Sequence, residues 1–252
     1  MAQDKLNLAL DGLRGEIHEP LTLFAERLTE ALGDNLQSIT VVGSSLTDDF
    51  SPGKSDINTV LVLGQHRLSV LDAIAAMAKP MSRKKVAAPL LMTPAYIARS
   101  LDVFSIEFLD FQLTHKTIYG DDPFQDLTIA AENVRLQCER ELKATLIRLR
   151  QAYIAAAANK KLIRDVLTSA AKALLPLLRA MLWLKGRDRP NRTAPTLAEA
   201  TSLFGIKTDP ILTAIGWRHH KPALQQAVIQ TTFESLYAVA EQLAQIVDEL
   251  EV

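Results

Sequence analysis

A chain of 252 residues, 48% of them hydrophobic, has room for one large domain or two modest ones with ample core. Its 28 basic and 29 acidic residues leave a formal charge of −1, so no basic field marks it for nucleic acid or an anionic membrane. The lone cysteine, Cys138, excludes an internal disulfide and a thiolate metal cluster, and the expected compartment is the reducing cytoplasm.

Residues 1–20 are broken by charges and lack the apolar core of a signal peptide. Helices are expected over 6–17 and 20–32. In the second, Leu21, Phe24, Ala25, Leu28 and Leu32 recur at helical spacing, and Gly33 stands where a C-terminal cap belongs. Residues 39–42 read as a short strand that ends at Gly43-Ser44, and a second strand follows over 59–63 after a loop with Pro52 and Gly53. A short helix over 69–77, capped by Ser69, leads to a basic connector over 79–85 that reads as a solvated loop. Residues 86–92 are a third strand, and Thr93-Pro94 caps and opens a helix over 94–101. The run 103–111, VFSIEFLDF, alternates as a strand would, with Glu107 on one face and Asp110 on the other. Residues 115–119 form an edge strand, and Gly120-Asp121-Asp122-Pro123 then punctuates the chain.

Beyond Pro123 the period turns helical. Leu142, Leu146, Leu149 and Tyr153 stripe a long helix over 129–157. The next, over 162–185, is apolar around much of its circumference and carries Pro176, where a kink is expected. Lys172, Arg179 and Pro176 make it a buried helix in place of a membrane span. Thr196 to Glu199 has the spacing of a capping box, Asp209-Pro210 opens a short helix that stops near Gly216, and a last helix covers 222–250. The fold class is therefore α/β (α+β): a mixed-sheet domain over 1–122, then an all-α helical bundle over 123–252.

The chemistry is concentrated in SITVVGSSLTDDFSPGKSDINTVLVLG, residues 38–64. A glycine turn after a buried strand brings backbone N–H groups close to a phosphate. Side chains alternate on the following strand, so Asp56 and Asn58 share a face and offer oxygen ligands to a hard cation. Val42-Gly43-Ser44 followed by Asp56-Ile57-Asn58 resembles the polymerase-β-type nucleotidyltransferases, which include the aminoglycoside nucleotidyltransferases. In that family an apolar strand, Gly-Ser, a loop and Asp-apolar-Asp on the next strand hold two Mg²⁺ ions and a nucleoside triphosphate. A third acid on a later strand completes the set.

The resemblance implies a nucleotidyltransferase-like domain followed by a helical substrate-binding domain. It makes Gly43, Ser44, Ser45, Lys54 and Ser55 the nucleotide-binding residues, Asp56 and Glu107 the catalytic carboxylates, and Asp56, Asn58 and Glu107 the Mg²⁺ ligands. Glu107 is preferred to Asp110 as the third acid by its place after the helix. The chain departs from the pattern at Asn58, where the family has a second carboxylate. The expected reaction moves a nucleoside monophosphate from a triphosphate to a hydroxyl of a small-molecule or protein acceptor lying between the two domains. Two rivals stand beside it: a nucleotide-binding or regulatory protein that keeps the fold without the chemistry, and an interaction protein whose bundle pairs with a partner or a second copy. Other polar groups have plainer readings: His219-His220 as loop residues in place of a metal pair, Arg187, Arg189 and Arg192 as solvated charge, Trp183 and Cys138 as packing.

Overall fold

The computed structural model describes residues 6–157, 159–217 and 225–251. They fall into two compact units, Met1–Leu101 with Phe111–Thr128 and Asp102–Asp110 with Ile129–Val252.

The first unit is built on a mixed four-stranded sheet of β1 (Leu36–Val42), β2 (Asn58–Leu63), β3 (Leu90–Met92) and β4 (His115–Gly120), in the order β3-β2-β1-β4. β1 runs antiparallel to β2 and β4, and β2 runs parallel to β3. Period-two alternation sends Ile39, Val41, Leu61, Leu63 and Ile118 to one face. There they meet Leu21, Phe24 and Leu28 of α1 (Gly15–Leu32) and Ile74, Met77 and Met81 of α2 (Leu68–Arg83). Each such side chain contributes about 1.5–3 kcal/mol when fully buried. The other face carries Ser38, Thr40 and Val42 opposite Val62, Val60 and Asn58.

Several expectations need correction. No helix forms over residues 6–10. Leu6, Leu8 and Leu10 recur at every second residue, the period of extended chain, and pack on the core while the Ala9 N–H donates to Ile118 O at 3.0 Å. One helix, α1, contains Pro20. α2 starts at Leu68 with Arg67 as its cap residue, not Ser69, and it absorbs most of the basic connector because Ile74, Met77 and Met81 continue its buried stripe. β3 is confined to three residues, with Val86 making one parallel bridge to Ile57. Thr93 does cap α3 (Pro94–Arg99), its hydroxyl accepting from the Tyr96 N–H.

The largest correction concerns VFSIEFLDF. Residues Ser105–Leu113 are the helix α4, not a strand. Glu107 is its exposed position, while Ser105, Ile106, Phe108 and Leu109 are buried. A distant residue fixes its start: buried Gln137 accepts the Ile106 N–H through Oε1 at 2.8 Å. A helix whose first amides are satisfied from another helix beats the β preference of its Phe and Ile residues.

The second unit takes Ile106 and Leu109 of α4 into a helical core. That core is supplied by α5 (Ala131–Ala156), α6 (Lys160–Leu184), α7 (Thr193–Phe204), α8 (Asp209–Gly216) and α9 (Gln226–Asp248). Leu142 and Leu149 of α5, Leu174 and Leu178 of α6, and Leu236 and Leu243 of α9 are fully enclosed. α6 is long and apolar enough to cross a membrane, but 56% of its most apolar window is buried inside the protein, as in a core helix. Thr196 lies within α7, where its hydroxyl donates to Arg192 O, and so does not cap it. Cys138 is fully buried in the helical core, and burial pushes its thiol up to about 12.

Candidate functional site

The site begins where β1 ends. Val42 is extended, and Gly43 turns the chain with φ 77°, a conformation that costs any residue with a Cβ about 1–2 kcal/mol. A Cβ there would meet Asn58 Nδ2 at 3.7 Å, an ordinary contact, so the glycine answers to backbone direction and not to crowding. Gly43–Leu46 form one 3₁₀ turn. It is held below by Ser44 O, which accepts from the N–H and the hydroxyl of Thr47. Ser44 is half-buried; Ser45 is buried, and its hydroxyl has no hydrogen-bond partner. An orphan hydroxyl of this kind costs about 1–3 kcal/mol, a penalty that folds tolerate at functional turns.

Across the ladder, Val42 pairs with Asn58. Asp56 and Asn58 are exposed and Ile57 and Thr59 buried, the alternation expected of a strand whose polar side chains share a face. Asp56 also lines an apolar cavity of about 540 Å³ beside Met77, Met81 and Leu91. Ser55 is buried and works inside the loop: its Oγ accepts the Ser51 N–H at 3.1 Å. Lys54 is exposed on that loop. Gly43, Ser44, Ser45, Ser55, Asp56 and Asn58 therefore lie on two adjoining segments that meet at one end of β1.

Glu107 has a different setting. It sits on α4 in the second unit, where its Oε2 accepts from Gln137 Nε2 at 2.7 Å. The strand placement that matched it to a third acid does not hold, and the strands that follow β2 carry Leu90, Leu91 and Met92 on β3 and HKTIYG on β4, without an acid. Asp110 is paired with Arg179, and Arg189 donates to Leu109 O. Burial pulls the Arg189 guanidinium below its ordinary value, Asp110 opposes that, and Arg179 adds to it. Among the described residues no group of three or more His, Cys, Asp or Glu side chains is disposed to hold a metal ion. Asp56 and Asn58 fit a single Mg²⁺ that arrives already bound to phosphates, because Mg²⁺ commonly keeps waters and takes only one or two protein carboxylates. They do not fit a two-ion set.

Two neighbours of the turn give no local signal in the sequence. Arg14 donates to Thr47 O and to the Asp48 carboxylate, each at 2.9 Å, tying the start of α1 to the exit of the turn. His115 pairs with Val42 from the other side, and its ring lies between Phe111 O at 2.7 Å and Asp122 Oδ2 at 2.8 Å. Partial burial pushes the Asp122 carboxyl up, but the Phe124 N–H and the His115 ring together hold it below the usual carboxylate range. Trp217 is buried in the helical core and Trp183 packs against it. His219 and His220 lie outside the described residues.

No family model matches the sequence, and no curated protein matches it. Among solved structures it is similar to the spectinomycin adenyltransferase AAD(9) from Enterococcus faecialis, a structure with ATP and spectinomycin. The identity is 12%, the TM-score 0.58, and the match covers 90% of this chain and 98% of that one. The protein thus has the fold of an aminoglycoside nucleotidyltransferase, a mixed four-stranded sheet unit accompanied by a helical one.

Proposed function

We propose that the protein binds a nucleoside triphosphate at the Gly43–Asn58 corner and keeps the nucleotidyltransferase fold with weakened or lost transfer chemistry. The convergence of the Gly43 turn with the exposed Asp56 and Asn58 across one ladder carries this reading. The Gly43–Leu46 turn would cradle the triphosphate tail with backbone donors, and Lys54 would reach it from the loop. Asp56 would hold a nucleotide-borne Mg²⁺ through its carboxylate, with the Asn58 amide as a neutral second ligand. When bound, such an ion neutralises phosphate charge and activates an acceptor hydroxyl. One carboxylate supplies less charge than two dications require, so binding survives better than catalysis.

A second reading is favoured by the structural neighbour, which is an adenyltransferase with ATP and spectinomycin. On it, this chain moves a nucleoside monophosphate to a hydroxyl of a small molecule and releases pyrophosphate, with Asp56 as the principal Mg²⁺ ligand.

Titration calorimetry with ATP, GTP, CTP and UTP, with and without Mg²⁺, tests the shared step. Mg²⁺-dependent heat with at least one nucleotide is expected, and no heat at millimolar ligand would remove both readings. A pyrophosphate-release assay with aminocyclitol acceptors then divides them. Steady release by the unaltered protein establishes transfer; release that emerges only in Asn58→Asp establishes the weakened site.

A further inference from the structure

At the opposite end of β1 lies a second cavity, of about 810 Å³, walled by Val62, Ile97, Leu101 and Leu127. All its lining residues belong to the first unit. Ser38 lines it from β1. Ser38 pairs across the ladder with Val62, so the two side chains project from the same face of the sheet. Ser38 is 2% exposed, and its hydroxyl has no hydrogen-bond partner. Asp121, Asp122 and Asp126 also line the cavity, and no basic side chain does so among the described residues. Asp122 Oδ2 is engaged by His115 Nε2 at 2.8 Å, while Asp121 and Asp126 stand exposed. Four residues of strand separate Ser38 from Val42, roughly 14 Å at 3.4 Å per residue, so the Ser38 end of this cavity is distinct from the Gly43 corner, while Asp122 on its rim reaches His115, the partner of Val42.

We propose that this cavity is a binding site for a small organic amine, with an apolar body against Val62, Ile97 and Leu101 and a cationic head among the aspartates. Each part of the lining asks for one part of that ligand. Apolar walls favour a compact hydrocarbon body. Unopposed carboxylates select a positive head and reject an anion. The orphan Ser38 hydroxyl gains the partner it lacks when a donor or acceptor of the ligand reaches it. The site does not depend on nucleotide binding, so its test is separable from that of the Gly43 corner.

The full-length protein is titrated at low salt with phenethylamine, phenethyl alcohol and phenylacetate, which share a body and differ in charge. Phenethylamine is expected to bind, the alcohol about tenfold or more weakly, and phenylacetate not at all. The Asp121→Asn/Asp126→Asn double variant should weaken the amine about tenfold and leave the alcohol unchanged. Ser38→Ala should lower amine affinity without lowering the stability of the ligand-free protein, because it removes a buried hydroxyl that has no partner. Asp56→Ala should leave amine binding intact. Equal binding of amine and alcohol, no binding of any probe, or full amine affinity in the double variant or in Ser38→Ala overturns the proposal. The contrast between amine and alcohol is read on the unaltered protein, so it stands even where a variant fails to fold.

Discussion

Two glycines close the two ends of β1, and they are glycines for different reasons. Gly43 has φ 77° and Gly120 φ 74°, nearly the same positive value. A Cβ on Gly43 would find only the Asn58 amide at 3.7 Å, whereas a Cβ on Gly120 would lie 1.9 Å from Gln37 O and 2.9 Å from Gln37 C. At Gly120 the missing side chain lets two strands meet. At Gly43 it leaves the backbone free to turn beside exposed polar groups. Each end also buries an orphan serine hydroxyl, Ser45 at one and Ser38 at the other. Nearly equal φ angles can therefore serve packing in one place and a free turn in another, and the neighbouring atoms decide which.

Substitution at both glycines breaks this contrast most sharply. Gly120→Ala must displace backbone, and chemical denaturation should show a loss of more than about 3 kcal/mol. Gly43→Ala should cost only about 1 kcal/mol of stability while sharply lowering triphosphate affinity. Similar losses from the two would show that Gly43 is a packing glycine too. Next in size is the exposed pair Asp56 and Asn58. Asp56→Ala should abolish Mg²⁺-dependent nucleotide binding, and Asn58→Asp should raise Mg²⁺ affinity; a flat response at position 58 would take it out of the site. Glu107 offers a smaller test. Glu107→Ala should cost about 1 kcal/mol through the lost Gln137 hydrogen bond. Glu107→Gln keeps an acceptor and should leave nucleotide affinity unchanged, and a loss of Mg²⁺ dependence there would restore it as a ligand. The smallest effect concerns Asp122. Its folded-state value lies below the unfolded one, so its contribution is present above the ordinary carboxylate range and is lost as pH falls through the folded value. The stability gap between wild type and Asp122→Asn, measured across an acid series, should be largest near neutrality and close on acidification.

The strands β1 and β2 were legible because their instructions are local: apolar residues bounded by Gly, Ser and Asp, with alternation that burial repeats at 56–59. The Gly-Ser turn and the Asp56/Asn58 face were legible for the same reason. α4 was not, because the group that starts it, Gln137, lies on another helix about thirty residues later. Locally, Phe104, Ile106 and Phe108 spell a strand as well as one wall of a helix. Glu107 was matched to the third acid through that strand, and the helix removes that ground for the match. The end of α2 was hidden by charge: Lys79 and Arg83 look like a connector, yet they occupy the solvent side of a helix whose buried side is Ile74, Met77 and Met81. Arg14 and His115 reach the turn only through tertiary packing, and no spacing in the chain announces them.

β4 is the outer strand of the sheet, and its outer rim would ordinarily present unpaired amides and carbonyls to other molecules. The Ala9 N–H engages Ile118 O on that rim, while Leu6, Leu8 and Leu10 anchor the segment to the interior. The leading segment thus acts as a guard against strand addition by a neighbouring chain. A protein trimmed to begin at Arg14 would lose that guard and gain a sticky margin, and its failure in solution would be self-association while the Gly43 turn keeps its Arg14 brace.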